Sequence, residues 1–178
     1  ASVIYDIPFG LRRSYGAHLP RALNAIAGDW TVTAIATMAT GFPIFITSPN
    51  QTTSIYPNER PNRVCNGADS SLSGNLRTDG FVDFDTSCFV TPAFGYFGNS
   101  ARAPLFGPGQ NNWDIAILKN FPVPLGEAGR LEFRAELFNA FNHAQFNNPN
   151  GNTGSVNFGV ISSAQSPRLV QLALKLMW

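Results

Sequence analysis

Large apolar residues alternate with small or polar residues through the last stretch of the chain, from Pro167 to Trp178. Side chains in a strand point alternately to its two faces, so the apolar residues share one face. They are Val170, Leu172, Leu174, Leu176 and Trp178. Pro167 can open such a strand but has no N–H for a ladder within it. The pattern therefore predicts an amphipathic strand that runs to the final residue.

Two kinds of sheet are consistent with this strand taken alone. An edge strand of a soluble β-sandwich alternates in the same way. A final indole, however, favours the boundary between apolar and aqueous surroundings, and a membrane-interface girdle provides that boundary. The remaining segments have to distinguish the two.

The same period of two predicts four further strands, near residues 2–9, 30–39, 113–121 and 130–137. In the second of these, Thr31 and Thr33 share a face of Thr, Ile and Ala, which suits a moist interior better than a packed core. In the fourth, one face is charged throughout and carries Arg130, Glu132, Arg134 and Glu136. Alternating signs at this spacing favour ion pairs on a wet face over catalytic carboxylates. No nucleophile motif accompanies the two histidines, so we expect no enzyme, no catalytic residues and no cofactor.

The connections between these segments alternate in length. Residues 48–110 and 142–166 are long and rich in Pro, Asn, Gly and Ser, whereas residues 123–129 form a short turn. Long irregular stretches count against a compact soluble fold. Strands of about ten residues, joined by short turns on one side and long loops on the other, match an outer-membrane barrel. The predicted fold is all-β: an antiparallel meander of about five long strands, with long loops on one side, in a transmembrane β-barrel.

Composition narrows the function classes further. Charged residues make up 13% of the 178 residues, about half the usual share, and the net charge of +1 gives no case for nucleic acid. Cys65 and Cys88 lie in one loop-like region without the spacing of a metal site, so a local disulfide in an oxidising compartment is favoured over zinc. The chain begins at Ala1 without a signal peptide yet enters a strand at once, and we expect a piece of a longer protein.

Several runs together carry a family resemblance, namely IYDIPFG, GDWTVTAIATMATGFPIF, FGNSARAPLFGPGQNNWDIAILKNF, LEFRAELFNAFNHAQFNNPN and PRLVQLALKLMW. In this order they resemble the C-terminal part of TonB-dependent receptors, particularly the Oar-like group with a carboxypeptidase-regulatory-like domain, common in acidobacteria. The resemblance covers residues 1–178. It implies a barrel of about 22 strands with a plugged lumen, to which this chain contributes the C-terminal part without the plug domain.

The resemblance also implies a function, a location and partners. It implies uptake of a scarce ligand such as a siderophore, cobalamin or a glycan across the outer membrane of a Gram-negative bacterium. Expected partners are the rest of the barrel and its plug, outer-membrane lipid, the outer-membrane assembly machinery, and TonB through the parent's N-terminal part. The assembly signal corresponds to the alternating residues from Val170 to Trp178. The candidates to line the lumen are Thr31, Thr33, Arg130, Glu132, Arg134 and Glu136.

A second hypothesis treats the chain as a detached β-rich fragment with a structural role. A partial barrel leaves two unpaired edges and an apolar face, which favour association with further copies of the chain. Such a fragment is expected to be extracellular and to form an oligomer or fibre.

Overall fold

A computed structural model describes residues 1–11, 13–52, 58–68, 73–75, 80–124 and 129–178. The turn predicted at 123–129 lies partly outside these residues. Strands dominate the described part of the chain, with one α-helix and one short 3₁₀ helix. In chain order the elements are β1 (Ser2–Asp6), α1 (Arg21–Ala27), β2 (Trp30–Ala39), β3 (Pro43–Ile44), β4 (Ser48–Pro49), β5 (Asn58–Glu59), β6 (Asn62–Arg63), β7 (Ser73–Asn75), β8 (Gly80–Val82), the 3₁₀ helix (Thr86–Cys88), β9 (Phe89–Val90), β10 (Leu105–Phe106), β11 (Gln110–Pro122), β12 (Arg130–Phe138), β13 (Val160–Ile161) and β14 (Leu169–Met177).

The main sheet contains five strands in the order β1-β2-β11-β12-β14. The strands occur in the sheet in the same order as along the chain, and the intervening short strands belong to other sheets. The main sheet is therefore an antiparallel meander. This confirms the predicted fold class. Strand β2 spans ten residues and β11 thirteen, long enough for the predicted strands.

The predicted antiparallel meander requires β11 to pair with β12 and β12 to pair with β14, and both pairings are found. Strand β11 pairs antiparallel with β12 from Ile115↔Leu137 to Pro122↔Arg130, and Val123 donates a backbone hydrogen bond to Gly129 across the turn. Strand β14 pairs antiparallel with the other edge of β12, with Arg130 opposite Met177. That opposition explains why β14 ends at Met177 and not at the final residue as predicted, because β12 begins at Arg130 and offers Trp178 no partner.

Helix α1 lies in the connection between β1 and β2. Pro20 occupies the N-cap of the helix and Gly28 occupies the C-cap. Proline with its fixed φ is common where helices begin, and glycine is common where they end. Gly28 donates its backbone N–H to the carbonyl of Asn24. Among the described residues, no helix combines the length and the apolar character that crossing a bilayer requires.

The chain divides into two compact units. The sheet unit comprises Ala1–Met38, Asn111–His143 and Ser166–Trp178, and the loop unit comprises Ala39–Gln110 and Ala144–Gln165. The predicted long connections thus contribute most of a unit with short strand pairs of its own. Its core contains Ile44, Ile46, Phe84, Cys88, Phe89 and Leu105, with Phe158 packed against them.

Burial differs sharply between the two units. Among the described residues, the buried apolar side chains lie in the loop unit, with Ala140 as the exception. The leucines of β14 are well exposed instead, Leu172 at 67% and Leu174 at 68%. A soluble sheet of this size covers such a face with a second layer. The sheet unit therefore presents an apolar surface that its own described residues leave uncovered.

Candidate functional site

One surface of the main sheet, here called the polar face, carries the charged residues of β12. The register places Asn120, Leu118 and Ala116 of β11 beside them, and Lys175, Ala173 and Gln171 of β14 on the other side. The four candidates on β12 therefore share one surface because each is two residues from the next. They are Arg130, Glu132, Arg134 and Glu136.

Thr33 of β2 joins this surface through a cavity of about 190 Å³. The lining includes Thr33 together with Asp114 of β11 and Arg134 and Glu136 of β12. The structure therefore brings together candidates that are about a hundred residues apart in the sequence. Thr31, Arg130 and Glu132 do not line this cavity.

Thr31 has a partner of its own at the neighbouring strand. It lies opposite Asp6 in the β1–β2 ladder, and its hydroxyl donates a hydrogen bond of 2.6 Å to the Asp6 carboxylate. Arg130 lies opposite Pro122 and Met177, and Glu132 lies opposite Asn120 and Lys175. These three candidates thus lie at the end of the sheet that holds the short hairpin turn.

An ion pair fixes the charged wall of the cavity. The guanidinium of Arg134 contacts the Glu136 carboxylate at 2.6 Å, with the two side chains 46% and 21% exposed. This is the predicted pairing of neighbouring charges, although no further ion pair is found on β12 among the described residues. A partly exposed pair contributes little to stability, typically below about 1 kcal/mol. Its more important effect is to hold two opposite charges toward a small water-accessible space.

Asp114 is a cavity residue that the sequence pattern did not single out. Its carboxylate accepts hydrogen bonds from the backbone N–H of Asn139 at 2.9 Å and from the Asn112 side chain at 3.0 Å. Asn139 has a positive φ of 49° where the chain leaves β12, so the carboxylate helps to close this turn. The available signal in the sequence was a carboxylate between Trp113 and Ile115, two apolar residues of the predicted strand.

The opposite surface, here called the apolar face, carries the alternating residues of β14. Val170, Leu172, Leu174 and Leu176 lie opposite Leu137, Ala135, Phe133 and Leu131 of β12, respectively. Lys175 is exposed and lies on the polar face. Trp178 is 86% exposed just beyond the strand. The register places the leucines on one face and Gln171 and Lys175 on the other, as the alternation predicts. Contact of the leucines with an apolar environment stays a prediction.

Lys119 is an exception on the apolar face that the alternating pattern did not predict. The register places it opposite Phe133, yet it is 3% exposed. Its ammonium lies 5.1 Å from the Trp30 ring and 5.2 Å from the Phe121 ring. The available signal was a lysine in the apolar series of β11, between Ile117 and Phe121.

The two cysteines form a disulfide within the loop unit, as predicted. Asp85 lies close to both sulfurs. In the described part of the chain, these three residues are the group whose possible metal-ligand atoms lie near one another, all within 4.8 Å. The sulfurs are bonded to each other, which excludes the thiolates that zinc requires. The Asp85 carboxylate instead accepts hydrogen bonds from the hydroxyl and the backbone N–H of Ser87, which lower the pKa of Asp85.

Comparison with known proteins gives one family match. The family model described as outer membrane beta barrel domain matches residues 1–171, nearly the whole chain. No curated protein and no solved structure matches the chain.

Proposed function

Since this chain belongs to the outer membrane beta barrel domain family, we propose that it is part of an importer of the TonB-dependent receptor type. In this proposal the polar face lines the lumen and the apolar face contacts lipid. The carrying observation is the contrast within β14, where Leu172 and Leu174 are two-thirds exposed on one face and Lys175 is exposed on the other. The proposed role is transport and not catalysis.

The energetics of the two possible orientations support this assignment. With the polar face toward lipid, Arg134 in the middle of β12 costs about 2 to 4 kcal/mol, and Lys175, which lies closer to the end of the sheet, adds a smaller cost. With the apolar face toward water, each large apolar side chain forgoes about 1.5 to 3 kcal/mol of burial. Both terms favour the same orientation, with the leucines in lipid.

The TonB-dependent assignment draws on the ordered motifs of the sequence. Its implied partners are the remaining strands and plug of a Gram-negative receptor, TonB and the barrel-assembly machinery, which would read the alternating residues from Val170 to Trp178. The cavity between Thr33, Asp114 and Arg134 supplies hydrogen-bonding groups of both charges to a polar solute in the lumen. Apart from Glu136, the rest of the lining is apolar, so these polar groups supply specific contacts within a mainly apolar cavity.

The test is uptake by cells that express the complete gene containing this chain. The cells are supplied in turn with a ferric siderophore, cobalamin and an oligosaccharide, and accumulation is measured. We expect accumulation of one ligand, abolished by a protonophore and by deletion of TonB. Arg134→Gln should change the uptake rate because it removes a lumen charge, whereas the conservative Leu172→Met on the apolar face should not. Uptake that persists without TonB, or no uptake of any ligand, would contradict the proposal.

A second candidate follows from the edges of the main sheet. Strands β1 and β14 end the sheet order and each has one neighbour within it. Unpaired edges beside exposed leucines favour pairing with another copy of the chain. Sedimentation of the isolated chain in detergent distinguishes the two, since a detached structural fragment would form a stable oligomer or fibre there. A segment of a larger barrel would remain monomeric.

A further inference from the structure

A cavity of about 320 Å³ lies within the loop unit, and none of the candidate lumen residues lines it. Three chain segments, at residues 45–47, 58–60 and 97–102, provide its lining. Two arginines, two phenylalanines and one glutamate define its chemistry: Arg60, Arg102, Phe45, Phe97 and Glu59. A volume of this size is at the lower end of the range for small-molecule sites.

The two arginines bring positive charge that the described acids do not neutralise. Arg102 lies over the ring of Phe45, with 5.4 Å from its guanidinium carbon to the ring centroid. This stacking orders the guanidinium while leaving its charge and its planar N–H donors in place. Arg60 donates a hydrogen bond of 3.4 Å to the carbonyl of Ser100. Within the described residues neither arginine forms an ion pair.

Glu59 provides the opposing charge, but its carboxylate is already engaged. The side chain is 8% exposed, and one oxygen accepts a hydrogen bond of 3.1 Å from the backbone N–H of Gln51. The other oxygen accepts from the hydroxyl of Thr52. The described lining therefore carries two formal positive charges against one negative charge that is directed to its own donors.

Close backbone packing holds the wall of this cavity in position. A Cβ added at Gly98 would lie 2.0 Å from the carbonyl oxygen of Arg60, so the two segments approach too closely for any side chain there. The backbone N–H of Ser100 donates a 3.0 Å hydrogen bond to the carbonyl of Pro61. Glu59 of β5 lies opposite Ser48 of β4 in an antiparallel pair. Phe97, which is 74% exposed, precedes this closely packed glycine and lines the cavity.

We propose that this cavity binds a small organic anion with a planar apolar body. The anionic group pairs with the guanidiniums of Arg60 and Arg102, whose fork of donors matches a carboxylate. The planar body packs against the exposed rings of Phe97 and Phe45. Binding here requires neither the rest of a barrel nor transport.

The experiment titrates the whole chain, folded in a zwitterionic detergent, with benzoate, and follows binding by calorimetry. Benzamide is the neutral ligand of the same shape, and inorganic phosphate is the anion without the planar body. We expect benzoate to bind at least about tenfold more tightly than benzamide, because the charge-assisted hydrogen bonds are lost in the amide. Phosphate should also bind more weakly than benzoate, since the rings add nothing to it.

Variants separate the two parts of the proposed site. Arg60→Gln and Arg102→Gln should each weaken benzoate binding about tenfold, and Arg102→Lys should restore part of it. Phe97→Ala should weaken benzoate binding while leaving phosphate binding unchanged. Arg21→Gln in helix α1 makes the same charge change at a residue that does not line the cavity, and it should have no effect. Circular dichroism confirms that each variant is folded.

Three outcomes would overturn the proposal: no measurable benzoate binding, equal binding of benzoate and benzamide, or equal loss in Arg21→Gln and Arg102→Gln. None of them bears on uptake by the complete receptor, because the titration uses no membrane and no energy source. Conversely, uptake without TonB would contradict the proposed transport function and leave this cavity's anion binding intact.

Discussion

Lys119 of β11 donates a hydrogen bond from its ammonium group to the backbone carbonyl of Gly28, 91 residues earlier in the chain. The same ammonium donates to the carbonyl of Asn24 at 3.2 Å. Gly28 is the C-cap of α1, and the Asn24 carbonyl, which also accepts the Gly28 N–H, lies in the last turn. The negative end of the helix dipole favours a cation there. A single lysine on the apolar face therefore joins the sheet to the helix in the preceding connection.

Lys119→Met should loosen α1 and lower the free energy of unfolding of the sheet unit by about 1 to 3 kcal/mol, because the Gly28 carbonyl loses its charged donor. Hydrogen exchange of the amides at residues 24–28 should become faster, as measured by mass spectrometry. The control is Lys175→Met, which removes an equal charge from the exposed polar face. If exchange at residues 24–28 is equal in both variants, Lys119 does not hold the helix.

Leu172→Arg should lower the stability of the membrane-inserted protein by about 2 to 4 kcal/mol, since it places a charge in the lipid layer near the midplane. Gln171→Arg is the matched change one residue earlier, where the side chain lies opposite Glu136 on the polar face. It should be neutral or slightly stabilising. Denaturant unfolding from lipid vesicles measures both. Equal losses would mean that the two faces do not differ in their contact with lipid.

Removal of the disulfide by Cys65→Ser with Cys88→Ser should destabilise the loop unit and spare the sheet. The bond closes a loop with a sequence separation of 23, which restricts the unfolded chain by about 3 kcal/mol. Tryptic cleavage after Arg63 should therefore become faster, whereas the Arg60–Pro61 bond resists trypsin in either case.

Tryptophan fluorescence reports the sheet in the same experiment, because the three tryptophans all lie in the sheet unit. It should unfold at an unchanged denaturant concentration in the double variant. Dithiothreitol added to the unaltered protein should reproduce the faster cleavage. A shift of the tryptophan transition would show that the disulfide also stabilises the sheet.

Asp83 and Asp85 should respond to pH in opposite directions. Burial raises the pKa of Asp83 from its ordinary value of 3.8, so its charged form opposes folding at neutral pH. This penalty disappears as pH falls below the ordinary value, where the carboxyl is protonated in both states. Hydrogen bonds from Ser87 lower the pKa of Asp85, so its stabilising contribution is present above pH 3.8 and is lost as pH falls through the depressed pKa.

The matched variants are therefore Asp83→Asn and Asp85→Asn. At pH 7 the first should make the loop unit more resistant to denaturant and the second less resistant. Both differences should fade in acid, once the carboxyls of the unaltered protein are protonated. These differences are measured by denaturant unfolding at neutral and at acidic pH, with protection of the loop unit from protease as the readout. Changes of the same sign at pH 7 would contradict the assigned causes.

Local alternation in the sequence determined the strands and their faces. Arg130 to Leu137 and Val170 to Leu176 each alternate strictly, and a period of two is set by neighbouring residues of one strand. The short turn at residues 123–129 then brings β11 beside β12 in a single antiparallel register. The disulfide was also within reach of the sequence, because two cysteines in one loop leave one intramolecular pairing.

The tertiary structure alone decided contacts between segments that are distant along the chain. The cavity of the sheet unit requires Thr33 and Arg134 in one lining. The proposed site in the loop unit requires Arg102 over the ring of Phe45. In the sequence, Lys119 only interrupts the apolar series of β11. The structure shows that its ammonium binds the carbonyls of Asn24 and Gly28. No local period encodes such contacts, because they depend on how the long connections fold and on which backbones approach closely, as at Gly98 and Arg60.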